Sequence, residues 1–129
     1  MKYAIQINSS PYRSQAGYTA YRFIEALLAK GHEVVRVFFY HDGVYHGFRY
    51  ATPPDDELQF TAQWSEMARH HGIDLVLCIS AAQRRGLLSA DEARRQGKRD
   101  NDLADGFRIS GLGQLIEATL IADRFIVFA

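Results

Sequence analysis

The chain has 129 residues, with 15 Lys and Arg against 15 Asp and Glu, and one cysteine. A formal charge of zero excludes the strong, non-specific attraction to nucleic acid that an excess of basic residues provides. A single cysteine excludes an internal disulfide and indicates a reducing compartment such as the cytoplasm. No apolar segment approaches the roughly 20 residues that span a membrane, and the N-terminus reads as a strand, not as a cleavable signal.

At this length we expect one domain, residues 1–129, with a core of its own. The apolar run from Val34 to Phe39 is nearly continuous, which is typical of a strand buried on both faces of a parallel sheet. The whole pattern predicts an α/β fold, a single parallel sheet with helices on both faces and a nearly flavodoxin-like winding. In the first half of the chain we predict a strand at 3–7, a helix at 14–30, a strand at 33–40 and a helix from Asp55 or Asp56 to about His70. In the second half we predict a strand at 75–77, helices beginning near Ser80 and Ser89, a strand at 107–110, a helix at about 113–121 and a last strand at 124–128.

The connection from His41 to Asp56 is too long for routine linkage between two elements. It carries several large apolar side chains, among them Val44, Tyr45 and Phe48. Two interpretations stay open: these side chains cover the edge of the core, or they contact a partner.

The only cysteine lies where a short apolar strand is expected to end. Leu75 to Leu77 predict that buried strand, and Ser80-Ala81-Ala82 predict the start of a helix. In open α/β sheets, ligands and chemistry collect at the carboxyl ends of the strands. Cys78 is therefore the candidate nucleophile. The alternative is that it is a small buried hydrophobe, as most unpaired cysteines are.

Five neighbours of Cys78 are predicted to favour its thiolate. A helix start carries unpaired N–H groups and partial positive charge, which the amides near Ser80, Ala81 and Ala82 would supply. Arg84 and Arg85 add full positive charge, and a cationic neighbour lowers the usual thiol pKa of about 8.5. Successive helical residues point about 100° apart, so at most one arginine is expected to face the thiol. Both could instead be surface or interface charges.

Other chemistries have weaker support in the residues. His70 and His71 are adjacent and do not share a helix face, so no metal site is expected, and the predicted chemistry needs no cofactor. A dyad of Cys78 with one of the five histidines stays open. The segment Asn8–Gln15 could bind a phosphorylated small molecule, although it lacks a glycine-rich cradle.

Three segments resemble the DsrE family of small sulfur-handling proteins, and the resemblance extends over essentially the whole chain. They are Val37 to Tyr45 (VFFYHDGVY), Cys78 with the following Ala81-Ala82 and Arg84-Arg85-Gly86, and Gly106 to Leu120 (GFRISGLGQLIEATL). Their order and spacing agree with the family.

The resemblance implies a persulfide relay in which Cys78 carries sulfur. It implies assembly with TusB-like and TusC-like subunits as a dimer of heterotrimers, a TusA-like donor and a TusE-like acceptor. The implied end use is 2-thiolation of the wobble uridine of tRNA. Alternatives are a role in dissimilatory sulfur oxidation and a non-catalytic assembly subunit. The relay and the oxidation pathway both require a thiol that a visiting protein can reach, whereas an assembly subunit does not.

Overall fold

A computed structural model describes all residues, 1–129. Its centre is one sheet of five parallel strands in the order β4-β3-β2-β1-β5. The strands are β1 (Lys2–Ile7), β2 (Glu33–Phe39), β3 (Leu75–Cys78), β4 (Phe107–Ser110) and β5 (Arg124–Phe128). The helices are α1 (Ala16–Ala29), α2 (Phe60–His71), α3 (Ile79–Arg84), α4 (Ala90–Arg95) and α5 (Gly113–Ile121), and a 3-10 helix covers His41–Gly47.

The predicted α/β class with one parallel sheet is confirmed, and every predicted strand and helix is present. The strand order differs in detail from the flavodoxin-like order, which is 2-1-3-4-5. Here the chain winds in one direction from β1 to β4, and α5 then returns it to the far side of β1. The direction in which successive strands are added to the sheet therefore reverses after β4, when β5 is placed on the other side of β1.

The two faces of the sheet are covered unequally. On one face, aromatic side chains from α1 and α2 pack on the strands, as in the edge-to-face contact of Phe39 with Trp64 at 5.3 Å between ring centroids. Right-handed crossovers place α1 to α4 on this side and α5 alone on the other. Accordingly, Arg36 of β2 reaches Gln114 and Glu117 of α5. We call the sheet side that α5 covers the α5 face.

The connection after β2 packs closely on the core. Val44 and His46 of the 3-10 helix are completely buried, whereas Tyr45 and Tyr50 are exposed. A Cβ atom added at Gly43 would lie 2.1 Å from the carbonyl oxygen of Ile7, so only glycine permits this approach. Coverage of the core is therefore confirmed for the first half of this connection.

The helix α2 begins later than the sequence indicated. Asp55 and Asp56 belong to a turn, and the residue before the helix, Gln59, makes no side-chain cap. Leu58 is 42% exposed whereas Phe60 is buried, so the side chains that pack this helix on the core begin at Phe60. Gly72, with φ of 66°, ends the helix in a left-handed conformation.

A cluster of charges fastens the first half of α5 to the sheet. Asp74 accepts hydrogen bonds from Arg108 at 2.8 and 2.9 Å and from Arg36 at 2.6 Å. Both arginines continue to α5, where Arg36 donates to the Gln114 carbonyl and Arg108 to the Gln114 side chain. The hydrogen bonds from Arg108, followed by those from Arg36, hold the pKa of Asp74 below its usual range although partial burial opposes the shift.

Replacing Asp74 with Asn should therefore destabilise the fold near neutral pH and flatten its acid dependence. A carboxyl with a lowered pKa in the folded chain stabilises the fold above its unfolded pKa, near 3.9, and this contribution is lost as pH falls through the folded value. Urea unfolding between pH 7 and pH 2.5 measures the effect. An Asp55→Asn control should follow the wild type, and parallel pH curves for Asp74→Asn and wild type would contradict the assignment.

Candidate active site around Cys78

The only cysteine lies at the carboxyl edge of the sheet, as predicted. Cys78 is the last residue of β3 and also the N-cap of α3, with extended backbone at φ of −61° and ψ of 123°. It is paired with Ser110 at the end of β4. Leu77 packs toward the 3-10 helix, and side chains alternate along a strand, so the Cys78 side chain projects on the α5 face.

The thiol is less accessible than the sequence led us to expect. Cys78 is 2% exposed and belongs to the main hydrophobic core. The next two residues, Ile79 and Ser80, are exposed, so the thiol lies directly beneath the surface at the edge of the sheet. The cause of burial is the position of β3 between two neighbouring strands, with a helix beginning at its last residue. Access to the sulfur therefore requires local movement of the residues that cover it.

The helix start supplies donors that the thiol does not use in this conformation. α3 begins at Ile79, one residue earlier than predicted, and the Cys78 side chain makes no cap hydrogen bond to it. Ser80 is exposed, while Ala81 and Ala82 are buried against the core. The first amides of the helix have no partner within the helix, so they are available to an anion that forms at the thiol.

The two arginines lie in different environments. Arg85 donates to Asp42 Oδ1 through Nε at 3.0 Å and Nη2 at 2.8 Å, and to the Ala81 carbonyl through Nη1 at 3.0 Å. Arg84 is exposed and makes no ion pair or hydrogen bond. Arg85 thus joins α3 to the 3-10 helix, and its charge is already compensated by Asp42. Arg84 is the arginine with an uncompensated charge.

Sequence reasoning missed a pair of aromatic residues at the same edge of the sheet. Tyr40 follows β2, and its ring stacks on the His41 ring with centroids 4.1 Å apart and planes 5° apart. The register of Phe39 with Leu77 places Tyr40 level with Cys78 at the carboxyl edge, on the α5 face. His41 has φ of 50° and is the only non-glycine residue with left-handed backbone. Backbone strain of this kind gathers at functional sites, but nothing in the sequence pattern indicates it.

His46 is at this end of the sheet but is not free to act as a base. Its Nδ1 accepts from Trp64 Nε1 at 3.1 Å, and the indole can only donate, so the imidazole proton is on Nε2, which donates to the Ser9 carbonyl at 3.2 Å. Burial lowers the pKa of His46 to about 4, against the opposing effect of the Ser9 carbonyl. His46 is therefore a neutral link between three segments of the core, and of the five histidines His41 is the exposed one at the edge that carries Cys78.

Cys78 lines none of the four main surface pockets. One of them, of about 770 Å³, lies beside α2 between Tyr12, Arg49 and Gly106. No three His, Cys, Asp or Glu side chains are grouped as metal ligands would be. None of the helices is both long enough and apolar enough to cross a lipid bilayer.

The chain belongs to the DsrE/DsrF-like family, whose model matches residues 1–128. It is 52% identical over 128 residues to the DsrE protein of Allochromatium vinosum, covering 99% of this chain and 98% of that one. It is 46% identical to the sulfurtransferase TusD homolog of Pseudomonas aeruginosa, covering 99% and 97%. Among solved structures, the YchN protein of E. coli matches with a TM-score of 0.79 and 25% identity over 99% of each chain.

The predicted family and enzyme class are confirmed by these comparisons. Relatives that align from end to end are named sulfurtransferases, and a sulfurtransferase is the class of enzyme that the family and fold define.

The arrangement predicts slow labelling of the native thiol and a distinct effect of each arginine. Burial should make Cys78 react with a neutral disulfide reagent at least about 100-fold more slowly in the native chain than in denaturant. Arg85→Ala removes the bonds to Asp42 and Ala81, so it should speed labelling severalfold by loosening α3. Arg84→Ala leaves these contacts intact and removes only a positive charge that favours the thiolate, so it should not speed labelling and is the comparison variant. Equal rates for the two variants would refute a holding role for Arg85.

Proposed function

We propose that the chain, as one domain over residues 1–129, is the sulfur-carrying subunit of a cytoplasmic sulfur relay. In this proposal Cys78 accepts sulfane sulfur as a persulfide from a TusA-like donor and passes it to a TusE-like acceptor. The observation that carries it is the position of the sole cysteine at the carboxyl end of a central strand, in a chain of a sulfurtransferase family.

The chemistry is thiol–persulfide exchange. The Cys78 thiolate attacks the outer sulfur of the donor persulfide, the S–S bond of the donor breaks, and the donor cysteine leaves as a thiolate. Cys78 then carries an S–S⁻ group. In the second step the acceptor thiolate attacks the outer sulfur, and the Cys78 thiolate leaves. Both steps conserve electrons and need no oxidant, metal or organic cofactor.

The residues around Cys78 fit the anionic states of this exchange. The amides of Ile79, Ser80 and Ala81 at the start of α3 are the donors nearest in sequence, and a rotation of the side chain toward them would direct the persulfide to the surface. Arg84 supplies an uncompensated positive charge nearby on the same short helix. The Ala82 side chain is fully buried and packs the helix against the core, and its backbone amide is a further proposed donor.

Burial of the thiol suits a carrier whose substrates are proteins. A persulfide exposed to solvent reacts with any small thiol or oxidant that it meets, whereas a covered one reacts after a partner has opened the site. The absence of Cys78 from the larger pockets agrees with delivery of sulfur by a docking protein. We propose that docking displaces the Tyr40–His41 stack or the residues around Leu112, which flank the carboxyl edge.

The proposed assembly is a hetero-oligomer with TusB-like and TusC-like subunits, arranged as a dimer of heterotrimers. Support comes from the relatives named TusD homologs, which match this chain at 43–46% identity over nearly their whole length. The end use that we propose is 2-thiolation of the wobble uridine in tRNA. The chain itself need not bind tRNA, because the acceptor carries the sulfur onward.

A second pathway has a specific observation in its favour. The 52% identity to the DsrE protein of Allochromatium vinosum exceeds the 46% identity to the Pseudomonas aeruginosa TusD homolog. The alternative proposal is therefore that the same carrier chemistry at Cys78 serves dissimilatory sulfur oxidation. A role as a non-catalytic assembly subunit has less support, because such a role requires no thiol at this position.

Cys78→Ser should abolish sulfur passage from a persulfidated donor to the acceptor, because serine cannot form the S–S bond. The loss should be at least about 1,000-fold in rate, while circular dichroism and co-purification with the partner subunits remain as in wild type. A radiolabelled sulfur assay with purified donor and acceptor measures it. Thr19→Ala, on the exposed side of α1, is the control and should transfer normally. Undiminished transfer through the serine variant would exclude Cys78 as the carrier.

Gene replacement in the source organism separates the two pathways. If the carrier serves tRNA, a strain with Cys78→Ser should lose the 2-thio group from wobble uridine, measured by mass spectrometry of tRNA nucleosides. Oxidation of reduced sulfur compounds by that strain should be unchanged. The reverse pattern would overturn the tRNA assignment and support the oxidation pathway.

A further inference from the structure

The Tyr40–His41 pair has a geometry that an ordinary strand end does not produce. Successive side chains of an extended strand point to opposite faces of the sheet. Phe38 and Tyr40 are two residues apart and touch edge to face, with ring centroids 6.1 Å apart, so both lie on the α5 face. An extended His41 would point to the other face, yet its ring lies parallel to the Tyr40 ring at 4.1 Å. The two neighbouring side chains therefore share one face.

The left-handed backbone of His41 produces this arrangement. Its φ of 50° turns the chain directly after β2, so that the ring folds back onto Tyr40. Glycine adopts this backbone freely, whereas a histidine does so only at a cost in free energy. The strained residue therefore holds an imidazole on the face to which Cys78 points. The imidazole is exposed, and neither ring nitrogen has a hydrogen-bond partner in the chain.

The sheet places this imidazole near the thiol. Tyr40 and Cys78 follow the paired residues Phe39 and Leu77, and neighbouring strands lie about 4.8 Å apart. The His41 ring lies one stacking distance from the Tyr40 ring. Together these two spacings put the imidazole on the order of 10 Å from the sulfur. A change of rotamer moves a histidine ring by several ångströms, so a local movement can bring the two groups together.

The other four histidines are excluded from this role by their positions. His32, His70 and His71 come just before β2 or β3, so they lie at the amino edge of the sheet, opposite Cys78. His46 is buried, and both of its ring nitrogens are engaged, with Trp64 and with a backbone carbonyl. A dyad of Cys78 with a histidine was left open by the sequence, and the fold leaves one member for it.

We propose that His41 accepts the proton of the Cys78 thiol when a donor protein opens the site. The inference rests on the proposed function and names the residue that prepares the thiol for it. Displacement of the Tyr40–His41 stack frees the imidazole and uncovers the sulfur in one movement. The S–H proton passes to the unprotonated ring nitrogen, and the thiolate attacks the outer sulfur of the donor persulfide. The imidazolium then returns the proton to the donor thiolate that leaves, so protons and electrons balance.

The other charged groups at this edge do not supply a base. Arg13, Arg84 and Arg85 keep their protons at every pH at which the fold is studied. Asp42 is bound by Arg85 at 2.8 Å. The start of α5, residues 111–116, has no titratable side chain, and the tyrosine of the stack is a phenol, which holds its proton at neutral pH. The imidazole is therefore the group at this edge that is suited to proton transfer near neutral pH.

The test is the pH dependence of sulfur loading in the full-length chain. A persulfidated TusA-like protein is the probe, and the mass of the Cys78 peptide is followed in a single turnover. His41→Asn should load at least about tenfold more slowly near pH 6.5, because a positioned base typically contributes about 100-fold or more. The deficit should shrink toward about pH 9, where a free thiol ionises unaided. His71→Asn, an exposed histidine at the opposite edge, is the matched control and should follow the wild type.

A second variant separates proton transfer from a purely structural role. Asparagine tolerates left-handed backbone, so His41→Asn should keep the wild-type circular dichroism. His41→Gly leaves a space beside Tyr40, and added imidazole should restore part of its loading rate. A deficit that is equal at every pH and that imidazole does not restore would overturn the role in proton transfer, and so would normal loading of both variants. If the wild-type Cys78 peptide never gains sulfur, the proposed function itself fails, and this role of His41 fails with it.

Discussion

Strand β3 fixes the position of Cys78, and the geometry of the candidate site depends on it. It is flanked by strands on both sides and is only four residues long, and all four are buried. Its last residue, Cys78, is also the N-cap of α3 and pairs with Ser110 of β4. A shift of β3 along the sheet would therefore break this pairing and move the start of the helix. A strand that is fixed in this way holds its sulfur at one defined position, directly beneath the surface.

This packing protects the Cys78 thiol from solvent and also keeps it out of reach of a partner protein. The packing that fixes Cys78 also leaves it 2% exposed, and a carrier has to expose its sulfur at the moment of transfer. The elements that could move are short ones: the six residues of α3, the turn with left-handed His41 and the stacked Tyr40, and the start of α5. The sheet beneath them has no need to change.

Helix α5 lies on the sheet face to which Cys78 points. It is fastened by the Asp74 charge cluster, and it exposes three large apolar side chains, Ile116, Leu120 and Ile121. A subunit that docks on this helix would touch the same structural layer that covers the thiol. Docking on this helix would therefore link assembly to access to Cys78, the proposed sulfur carrier.

Much of the architecture could be predicted because it depends on local patterns: the buried run of β2, the capping Ser89, and glycine after α1 and α2 are visible in the sequence. The position of Cys78 at the end of a strand followed in the same way. The sequence left open whether Cys78 is buried. It gave no sign of the ion pair of Arg85 with Asp42 or of the buried His46, because these contacts join residues far apart in the chain. The strand order is likewise a tertiary property.

The most direct test of the central claim is the mass of the peptide that contains Cys78 during a single round of transfer. The purified protein is mixed with a persulfidated donor, quenched by alkylation at intervals and digested. We expect the Cys78 peptide to gain the mass of one sulfur atom and to lose it when the acceptor is added. Sulfur that reaches the acceptor while the Cys78 peptide never gains mass would contradict it.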